Sequence, residues 1–523
     1  MARTHVIAWR RLSYDEIAGK GHTDIRNSSG TFSGLANTGE PENISLVLDR
    51  QEPRLQADFL TSCTGAIQQT SEHLLNDQKS VIPNDNFHWH RNHWRNTCNF
   101  PIFILEYLAR ITDMAISFER SNNDVEACTA GNRHHVVSSK EHWHDINNAH
   151  TSQLSPNAAS REMFQPKYTF DFDWAAPREH VSLATVRSIR NMTQQLPSFQ
   201  GRFLEILDQE FQKVVESNPQ EDGWTRVALW PTVQRSVSRI NTLLLLGEYT
   251  VSRLVTKLIK GADYDRKYVF RTLRALIAER EAYNKTTPEP TRVKPATFLE
   301  GVIDYSQDNR STQQHVDSIN STWVISTLAI PVFTCQLLQD LYTQPKHFSV
   351  LQKECDAVPL HEPSRSHEIS DYLEKLPLLE AFAMESWRTN CFQANTAHRM
   401  AMKPFQFSDG YKVPAGEIIE FHQYGLMNDD AFYPQHEKFD PSRFLGKNRS
   451  LVDTGIEWPF WGVPRYICPG RWHVANVEKL VAVYLKQNFE GKFESTEGLN
   501  FDWRDSLVPN PKMVLLMKPR SKG

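Results

Sequence analysis

Apolar residues recur at three- and four-residue spacing along most of the chain after residue 155, which is typical of amphipathic helices. The pattern is clearest in three segments, GRFLEILDQEFQKVVES at 201–217, TRVALWPTVQRSVSRINTLLLLGE at 225–248 and KYVFRTLRALIAEREAYN at 267–284. A fourth segment, at 313–342, predicts one long buried helix interrupted by Pro331. Helices therefore dominate the predicted fold of this part of the chain.

A minor sheet is predicted late in the chain. The segment LEKLPLLEAFAMESWRTN at 373–390 predicts one more helix. Soon after it, residues 396–426 alternate apolar and polar side chains and contain the turn residues of a small antiparallel sheet. The sequence thus predicts a mainly α fold with small β-sheets.

The first 155 residues differ in character, because they are polar, rich in His, Asn and Ser, and weakly periodic. We predict few helices there, one of them near residues 101–118. Three histidines within 88–93 admit two interpretations, a metal cluster or a surface loop, and the loop is favoured because no acidic or Cys partner matches them. We therefore divide the chain into an atypical, partly irregular N-terminal region, 1–155, and a core, 156–523.

Composition and charge exclude several classes of protein. The net formal charge is -4 and charged residues make up 23% of the chain, which argues against a nucleic-acid-binding protein or a disordered polyanion. The 7 cysteines are scattered, so we expect neither a disulfide scaffold nor a zinc ribbon, and a reducing compartment is favoured. The sequence shows neither a signal-peptide core nor a run of roughly 20 apolar residues, so we expect the chain as written to be soluble.

One cysteine, Cys468, lies in the stretch FWGVPRYICPGRWH, between a run of aromatic residues and a predicted helix. Taken alone, this thiol has three interpretations: a redox nucleophile, a metal ligand or a small core residue. A helix that begins near Arg471 offers amide donors and the positive end of a helix dipole, and both favour a thiolate. Pro469 suits the turn into a helix, and Gly470 permits a close approach of another group to the backbone.

Two upstream motifs decide between these interpretations. Glu385 and Arg388 are spaced i,i+3 on a predicted helix, which places both side chains on one face. The later segment KFDPSRF offers Arg443 as a further partner for Glu385. In this order and at these separations, the pair, the FDPSRF turn and the cysteine loop resemble the cytochrome P450 haem-thiolate family, and in detail its fungal members of secondary metabolism. The resemblance is strong from about residue 370 to 518, recognisable from about 160, and absent before that.

The resemblance implies a P450 fold whose core carries the haem-binding loop. Haem b would be the cofactor, Cys468 the thiolate ligand of its iron, and Glu385, Arg388 and Arg443 a buried charge triad. Gly470 would let the backbone lie against the flat macrocycle. The residues that would bind the haem propionates are Arg399, Arg465 and Tyr466, with Arg187 or Arg190 as further candidates.

The cysteine loop departs from the family pattern at three positions. Trp461 stands at the family's Phe, Pro464 at its inner Gly, and Tyr466 at its Arg or His. Trp461 keeps an aromatic ring on the thiolate side, and Tyr466 can donate a hydrogen bond but carries no charge. The departures favour an unusual loop geometry and leave room for unusual chemistry.

The distal helix departs more strongly. Leu328 and Ala329 stand where the family has an acid or amide followed by a threonine that deliver protons, and neither side chain can relay a proton. Thr327 is the catalytic candidate, because Pro331 lacks the N–H that would bond its carbonyl, which is then free to hold water. Thr334 offers another hydroxyl. The alternative is that both threonines bond back within the helix.

The leading hypothesis is a haem-thiolate monooxygenase that hydroxylates or epoxidises a lipophilic secondary-metabolite intermediate (a terpenoid, polyketide or alkaloid) in a fungal pathway. The sequence has no Gly-rich nucleotide or flavin motif, so electrons from NADPH would arrive through NADPH-cytochrome P450 reductase. The predicted docking face for this reductase consists of Arg465, Arg471, Lys479 and Lys486.

Two other functions stay open. The missing acid–alcohol pair favours a haem-thiolate isomerase, dehydratase or cyclase that needs no dioxygen activation. The atypical first 155 residues favour a haem-binding homologue without turnover. The family suggests the cytosolic face of the endoplasmic reticulum with peripheral membrane contact, although this sequence shows no membrane anchor, and nucleic acid is not an expected partner.

Overall fold

The computed structural model describes residues 118–121, 124–128, 133–164, 180–217, 222–247, 266–288, 291, 295–306, 310–503 and 505–520. Helices dominate them, as the apolar periodicity predicts. The first helices are α1 (Lys140–Asn148), α2 (Pro156–Phe164), α3 (His180–Gln194), α4 (Leu196–Leu207), which continues through a π-helical turn at Asp208–Gln212, α5 (Lys213–Ser217), α6 (Leu229–Leu246), α7 (Arg266–Thr286) and α8 (Phe298–Asp304). The later ones are α9 (Thr312–Thr343), α10 (Phe348–Asp356), α11 (Ile369–Glu374), α12 (Pro377–Asn390), α13 (Gln423–Met427) and α14 (Arg471–Asn488).

The strands are short and lie in separate parts of the described chain. They are β1 (Phe118–Ser121), β2 (Asp124–Cys128), β3 (Arg133–Val137), β4 (Leu154–Ser155), β5 (Thr225–Ala228), β6 (Asn395–Ala401), β7 (Phe405–Gln406), β8 (Lys412–Val413), β9 (Ile418–His422), β10 (Phe489–Phe493), β11 (Asn500–Trp503), β12 (Ser506–Pro509) and β13 (Val514–Pro519). The mainly α fold with small β-sheets is thereby confirmed.

The long helix α9 shows how local sequence sets a boundary. Its N-cap Ser311 accepts a hydrogen bond from the N–H of Gln314, whose side chain accepts one from the N–H of Ser311, a capping box. The helix then runs to Thr343 with Pro331 inside it. The expected interruption at Pro331 was therefore wrong: a proline removes one backbone donor, and the packing of a largely buried helix holds the turns on either side.

The largest sheet is mixed and has the strand order β1-β2-β3-β9-β6-β4. The predicted antiparallel pairing within 396–426 is present, between β6 and β9 and between β7 and β8. Sequence reasoning missed that β3 joins β9 in parallel. Residues 133–155 thus contribute β3 and β4 to the same sheet, with α1 between them in the chain, although they precede the predicted division at 155. The predicted helix near 101–118 and the histidines at 88–93 lie outside the described residues.

Three smaller sheets complete the described fold. β13 joins β10 to β5, so the end of the chain pairs with a strand that directly precedes α6. The hairpin β11–β12 lies against the segment after α12, where the N–H of Leu507 donates to the carbonyl of Phe392 at 2.8 Å. The hairpin β7–β8 stands beside the large sheet.

The core lies where α9, α12 and α14 meet. Val474, Val477, Val481 and Leu485, at helical spacing along α14, are all buried. The rest of α14 is buried as well, from His473 to Lys486, so this helix runs through the interior and does not line the surface. Among the described helices, α9 is long and apolar enough to cross a membrane, but 61% of its most apolar window is buried inside the protein, as in the core helix of a globular fold.

Candidate cofactor-binding site

The cysteine loop is built from two short turns followed by the start of α14. Pro459–Trp461 and Pro464–Tyr466 each form a single turn of 3-10 helix, and the N–H of Cys468 donates to the carbonyl of Trp461 at 2.9 Å. Gly462 joins the two turns at φ 83°, and a Cβ there would lie 3.0 Å from the carbonyl oxygen of Tyr466. The loop therefore needs glycine at this position.

The thiol of Cys468 faces the amide end of α14. Burial raises its pKa, while the N–H groups of Gly470 and Arg471 and the charge of Arg471 act in the opposite direction. The Arg471 guanidinium also donates to the carbonyl of Cys468 at 3.1 Å, which holds the loop against the helix. A thiol in this position is stabilised as a thiolate most strongly when a cation binds its sulfur.

The other described cysteines are packed differently. Cys335, Cys355 and Cys391 are buried, and burial raises the pKa of each thiol, to about 12 for Cys355 and Cys391. Cys468 differs from these three in having partly exposed surface. In the part of the chain that the structure describes, no cluster of three or more His, Cys, Asp or Glu side chains is suited to hold a metal ion.

The predicted charge triad is present beneath this loop. Arg388 donates to both carboxylate oxygens of Glu385 at 2.8 Å, and Arg443 donates to the same carboxylate at 3.3 Å. Arg388 also donates to the carbonyls of Met427 and His436, at 2.9 and 2.8 Å. The guanidinium therefore ties α12 to two later segments of the chain and leaves no surface of Glu385 or Arg388 exposed.

Arg399, on β6, is a buried cation with an unpartnered donor. Its side chain is 4% exposed and donates to the carbonyl of His398, while its Nε finds no hydrogen-bond acceptor among the described residues. Burial lowers the pKa of Arg399 to about 10, and the ring of Tyr466 lies 5.1 Å from the guanidinium carbon. A buried guanidinium without an acid partner needs an anion, and a carboxylate of a bound ligand satisfies that need. The residues present therefore fit haem, whose propionates are such carboxylates.

The other predicted cofactor contacts are spread around the loop. Arg465 is exposed and donates to the carbonyl of Asn148 on α1, while its own N–H donates to the side chain of Asn147. Of the two arginines on α3, Arg190 lowers the pKa of Arg471 and so lies on the cysteine-loop side, whereas Arg187 acts on the pKa of Tyr305. The structure thus brings Cys468, Gly470, Tyr466 and Arg399 together and leaves Arg465 at the rim.

The threonines of α9 are both bonded within their helix. The hydroxyl of Thr327 donates to the carbonyls of Trp323 and Val324, at 2.8 and 3.1 Å, and Thr334 donates to Ile330 at 2.9 Å. This is the back-bonded arrangement that the sequence left as an alternative. The carbonyl of Thr327 faces Pro331, which has no N–H to give it.

The predicted docking face was wrong in two of its four residues. Lys479 is 6% exposed and donates to Glu380 at 2.7 Å, and Lys486 is 1% exposed with its ammonium against the ring of Phe348. Both cations are covered because α14 lies in the interior, so neither can meet a partner protein. Arg465 is exposed, and Arg471 is partly exposed and stacks on Trp472.

Sequence reasoning missed one set of residues altogether. Trp387, which lies between Glu385 and Arg388, is buried among the rings of Phe333, Trp461, Trp458 and Phe460 and donates its indole N–H to Glu478. The available signal was the density of aromatic residues in the cysteine loop, which predicts stacking but not the partner ring on α12.

Comparisons with known proteins agree with this geometry. The family model described as "Cytochrome P450" matches residues 239–517. Cytochrome P450 monooxygenase sdnB of Sordaria araneosa is 23% identical over 61% of this chain and 68% of its own, and cytochrome P450 monooxygenase 151 of Postia placenta is 23% identical over 74% and 84%. Cytochrome P450 monooxygenase paxP of Penicillium paxilli is 28% identical, but the match spans 44% of this chain and 45% of that relative. Among solved structures, a retinoic acid-bound cyanobacterial CYP120A1 superposes with a TM-score of 0.61 at 16% identity, over 81% of this chain and 96% of its own.

Proposed function

Because this chain belongs to the cytochrome P450 family, we propose that it is a haem-thiolate monooxygenase that hydroxylates or epoxidises a lipophilic secondary-metabolite intermediate. The family uses haem b and receives electrons from NADPH through a redox partner, and the chain is accordingly an oxidoreductase of the P450 type. The proposed part concerns which residues hold the haem, how protons reach it and what class of substrate it oxidises.

One observation carries the assignment of the iron ligand: the thiol of Cys468 lies at the start of α14, where the N–H groups of Gly470 and Arg471 act against the rise in its pKa that burial causes. Bound haem supplies the redox chemistry of dioxygen activation, in which a thiolate ligand helps to break the O–O bond. The protein's own contribution is to keep the sulfur ionised and fixed. The backbone amides at the start of α14 favour the ionised sulfur. The triad of Glu385, Arg388 and Arg443 fixes the sulfur in position, because it locks α12 to the segments that precede the loop.

The haem edge is assigned to Arg399 and Tyr466. The unpartnered Nε of Arg399 would donate to one propionate, and the ring of Tyr466 keeps the guanidinium in place from one side. Arg465 and Arg190 lie nearer the solvent and would contribute weaker, screened attraction to the same carboxylates. Gly470, which has no side chain, leaves room beside the sulfur for the macrocycle.

The distal side carries no acid–alcohol pair at the family's positions, since Leu328 and Ala329 occupy them. We assign proton delivery to water held at the carbonyl of Thr327, which lacks a donor from Pro331. Thr327 thus acts through its backbone, because its hydroxyl is already used within the helix.

A second candidate function is favoured by the missing acid–alcohol pair on the distal side. If no water is held at that carbonyl, the site binds haem but cannot protonate bound dioxygen, which suits an isomerase, dehydratase or cyclase. The substrate class is proposed from the resemblance to fungal P450s of secondary metabolism, whose relatives matched here are named cytochrome P450 monooxygenases, and from the apolar side chains of Ile325 and Leu328 on the more open side of α9.

The test combines a spectrum with turnover. Haem-loaded wild type should give the thiolate-type carbon monoxide difference band, and Cys468→Ala should lose that band while keeping a normal far-ultraviolet circular dichroism spectrum. Oxidation of lipophilic candidate substrates should require NADPH, reductase and dioxygen together. Product formation without dioxygen would replace the monooxygenase by the second candidate, and a thiolate band without any turnover would favour a haem-binding homologue that lacks catalysis.

The partner and the location are proposed from the family. We propose that NADPH-cytochrome P450 reductase docks near Arg465 and Arg471, and that the protein works at the cytosolic face of the endoplasmic reticulum through peripheral contact with the membrane. Arg465→Glu should raise the reductase concentration needed for half-maximal haem reduction. The difference from wild type in this concentration should become smaller as the salt concentration rises. An unchanged requirement would remove Arg465 from the docking face, and recovery of the tagged protein in the cytosolic fraction alone would overturn the location.

A further inference from the structure

The indole of Trp387 is buried and held by an acid. Its Nε1–H donates to both carboxylate oxygens of Glu478, at 2.9 and 3.1 Å. Trp387 is 1% exposed and Glu478 is 0% exposed. Among the described residues, no other donor forms a hydrogen bond to this carboxylate, so an indole N–H is its sole hydrogen-bond partner there. Such an acid has no evident role in stabilising the fold, because burying it costs free energy.

Trp387 also joins the distal helix to the cysteine loop through ring contacts. It stacks on Phe333 of α9, with ring centres 3.9 Å apart and planes 16° apart. The ring centre of Trp461 lies 5.0 Å from that of Trp387, and the ring centre of Trp458 lies 6.5 Å from it. Trp461 is in turn connected to Cys468 by the backbone hydrogen bond of 2.9 Å. The indoles of Trp461 and Trp458 therefore both lie near that of Trp387, and Trp461 links this group to the backbone of Cys468.

The rings are fixed in position. The N–H groups of Trp458 and Trp461 both donate to the carbonyl of Leu451, at 3.1 and 2.5 Å. Trp387 thus differs from its two neighbours, since its own N–H faces a titratable group and theirs face a backbone carbonyl, which cannot take up a proton.

The acid is surrounded by one cation and one further acid. Burial raises the pKa of Glu478 to about 8; the hydrogen bond from Trp387 and the charge of Lys479 lower it, and Glu380 raises it. Lys479 is itself paired with Glu380 at 2.7 Å, so its charge is already largely compensated. Glu478 is consequently a base of unusual strength for a carboxylate, placed on the one proton that the indole can release.

We propose that Trp387 is a one-electron donor to haem bound at Cys468 and that Glu478 takes up the proton of the oxidised indole. This proposal rests on the proposed function, because it needs a haem-thiolate centre. Hydrogen peroxide would oxidise such a centre by two electrons: its O–O bond would break, one oxygen would leave as water, and the other would stay at the centre. When no substrate is present, one electron passes from Trp387 to the oxidised centre, the Nε1–H bond breaks and the proton joins a carboxylate oxygen. The products are a neutral indole radical, a neutral Glu478 and a haem centre reduced by one electron.

Electron transfer from Trp387 would protect the enzyme from its own oxidised haem centre. An oxidised haem centre without a substrate attacks its own macrocycle and protein, and an electron from a nearby indole removes the oxidant before that damage. A second electron from an added reductant then restores Trp387, as the proton returns from Glu478. Above pH 8 the carboxylate is ionised and takes the proton, whereas below it the indole keeps the proton and the radical is a cation.

The test uses the full chain loaded with haem, after the carbon monoxide spectrum has shown thiolate ligation. Ferric protein without substrate, reductase or NADPH is mixed with hydrogen peroxide, frozen within milliseconds to seconds and examined by electron paramagnetic resonance at pH 7 and pH 9. Bleaching of the haem absorbance is followed in parallel, and oxidised tryptophans are located by mass spectrometry. The variants are Trp387→Phe, Glu478→Gln and, as a matched control on α6, Trp230→Phe.

Wild type and Trp230→Phe should give a tryptophan radical whose signal changes from cationic at pH 7 to neutral at pH 9, with oxidation found at Trp387. Trp387→Phe should lower the radical yield at least fivefold and bleach several-fold faster. Glu478→Gln should keep the radical cationic at both pH values. Equal radical yield and bleaching in Trp387→Phe would overturn the proposal. If that variant fails to bind haem, a wild type without oxidation at Trp387, or a Glu478→Gln radical that is still neutral at pH 9, would overturn it. Loss of the thiolate band in wild type would instead refute the proposed function.

Discussion

Glu385 and Arg388 face each other one helical turn apart, joined by two hydrogen bonds of 2.8 Å, and neither side chain has exposed surface. The Glu385 carboxylate also accepts from the N–H of Asp440 at 2.8 Å and from Arg443 at 3.3 Å. The Glu385 carboxylate therefore compensates the charges of two guanidinium groups, those of Arg388 and Arg443. Its removal would leave two guanidinium groups inside the protein without their counter-charge.

The first prediction follows from that arrangement. Glu385→Gln keeps the shape of the side chain and should lower the free energy of unfolding by roughly 3–5 kcal/mol, because it breaks a buried ion pair by removing one partner. Urea unfolding of the haem-loaded protein measures the change. The control is Glu362→Gln, which breaks the exposed pair with Arg365 and should leave the free energy of unfolding nearly unchanged. Equal effects of the two variants would contradict a structural role for the buried pair.

Haem retention is expected to depend on Arg399 more than on Arg465. Arg399 is buried with an unpartnered Nε, and a hydrogen bond from a charged donor contributes about 1.5–3 kcal/mol, so Arg399→Ala should weaken haem binding roughly tenfold to a hundredfold. Arg465 is exposed and hydrogen-bonded to α1, so Arg465→Ala should change the affinity for haem less than about threefold. The rate of haem transfer to excess apomyoglobin gives the comparison. A larger loss in Arg465→Ala would assign the propionate contact to Arg465.

These residues also show which features of the site could be predicted from the sequence. The position of Cys468 directly before a helix and the partners of Glu385 were predictable, because each depends on short spacings or on motifs whose order defines a family. The orphaned Nε of Arg399 was not predictable, since it depends on what fails to approach a side chain in the folded state.

Burial of long cations was the main error. Lys479 and Lys486 look like surface residues in the sequence, but Lys479 pairs with Glu380, which lies 99 positions earlier, and Lys486 lies over Phe348. Helical periodicity shows which residues share a face, and it cannot show that a helix is covered on every side. The parallel pairing of β3 with β9 was missed for the same reason, because it joins segments that are far apart in the sequence.

Stability below neutral pH should depend on His473. Burial lowers its pKa from 6.5 to about 4, and its Nε2 is hydrogen-bonded to Asn241 at 2.8 Å. The unfolded chain binds a proton as the pH falls through 6.5, whereas the folded protein binds it only near pH 4. The contribution of His473 is therefore present in full above pH 6.5 and is lost progressively between 6.5 and 4. This amounts to about 2 kcal/mol at pH 5.

His473→Gln retains an amide that can bond Asn241 and has no titration in this range. We expect the difference in unfolding free energy between pH 7 and pH 5 to be about 2 kcal/mol smaller in this variant than in wild type. The control is His367→Gln, whose side chain is 68% exposed and should leave the difference unchanged. An unaltered pH dependence in His473→Gln would mean that the ring takes up a proton within the fold.

The last prediction concerns proton delivery by Thr327, whose hydroxyl oxygen is hydrogen-bonded within the helix and whose carbonyl oxygen is not. Its hydroxyl donates to the carbonyls of Trp323 and Val324, so Thr327→Val should keep NADPH consumption and peroxide release within about twofold of wild type in a system reconstituted with reductase. Its carbonyl lacks a helix donor because residue 331 is proline. Pro331→Ala supplies that N–H, closes the ordinary helix bond and should displace any water held there, slowing both rates several-fold while the thiolate spectrum stays normal. Slowing in Thr327→Val alone would assign the proton to the hydroxyl, and unchanged rates in both variants would exclude Thr327 from proton delivery.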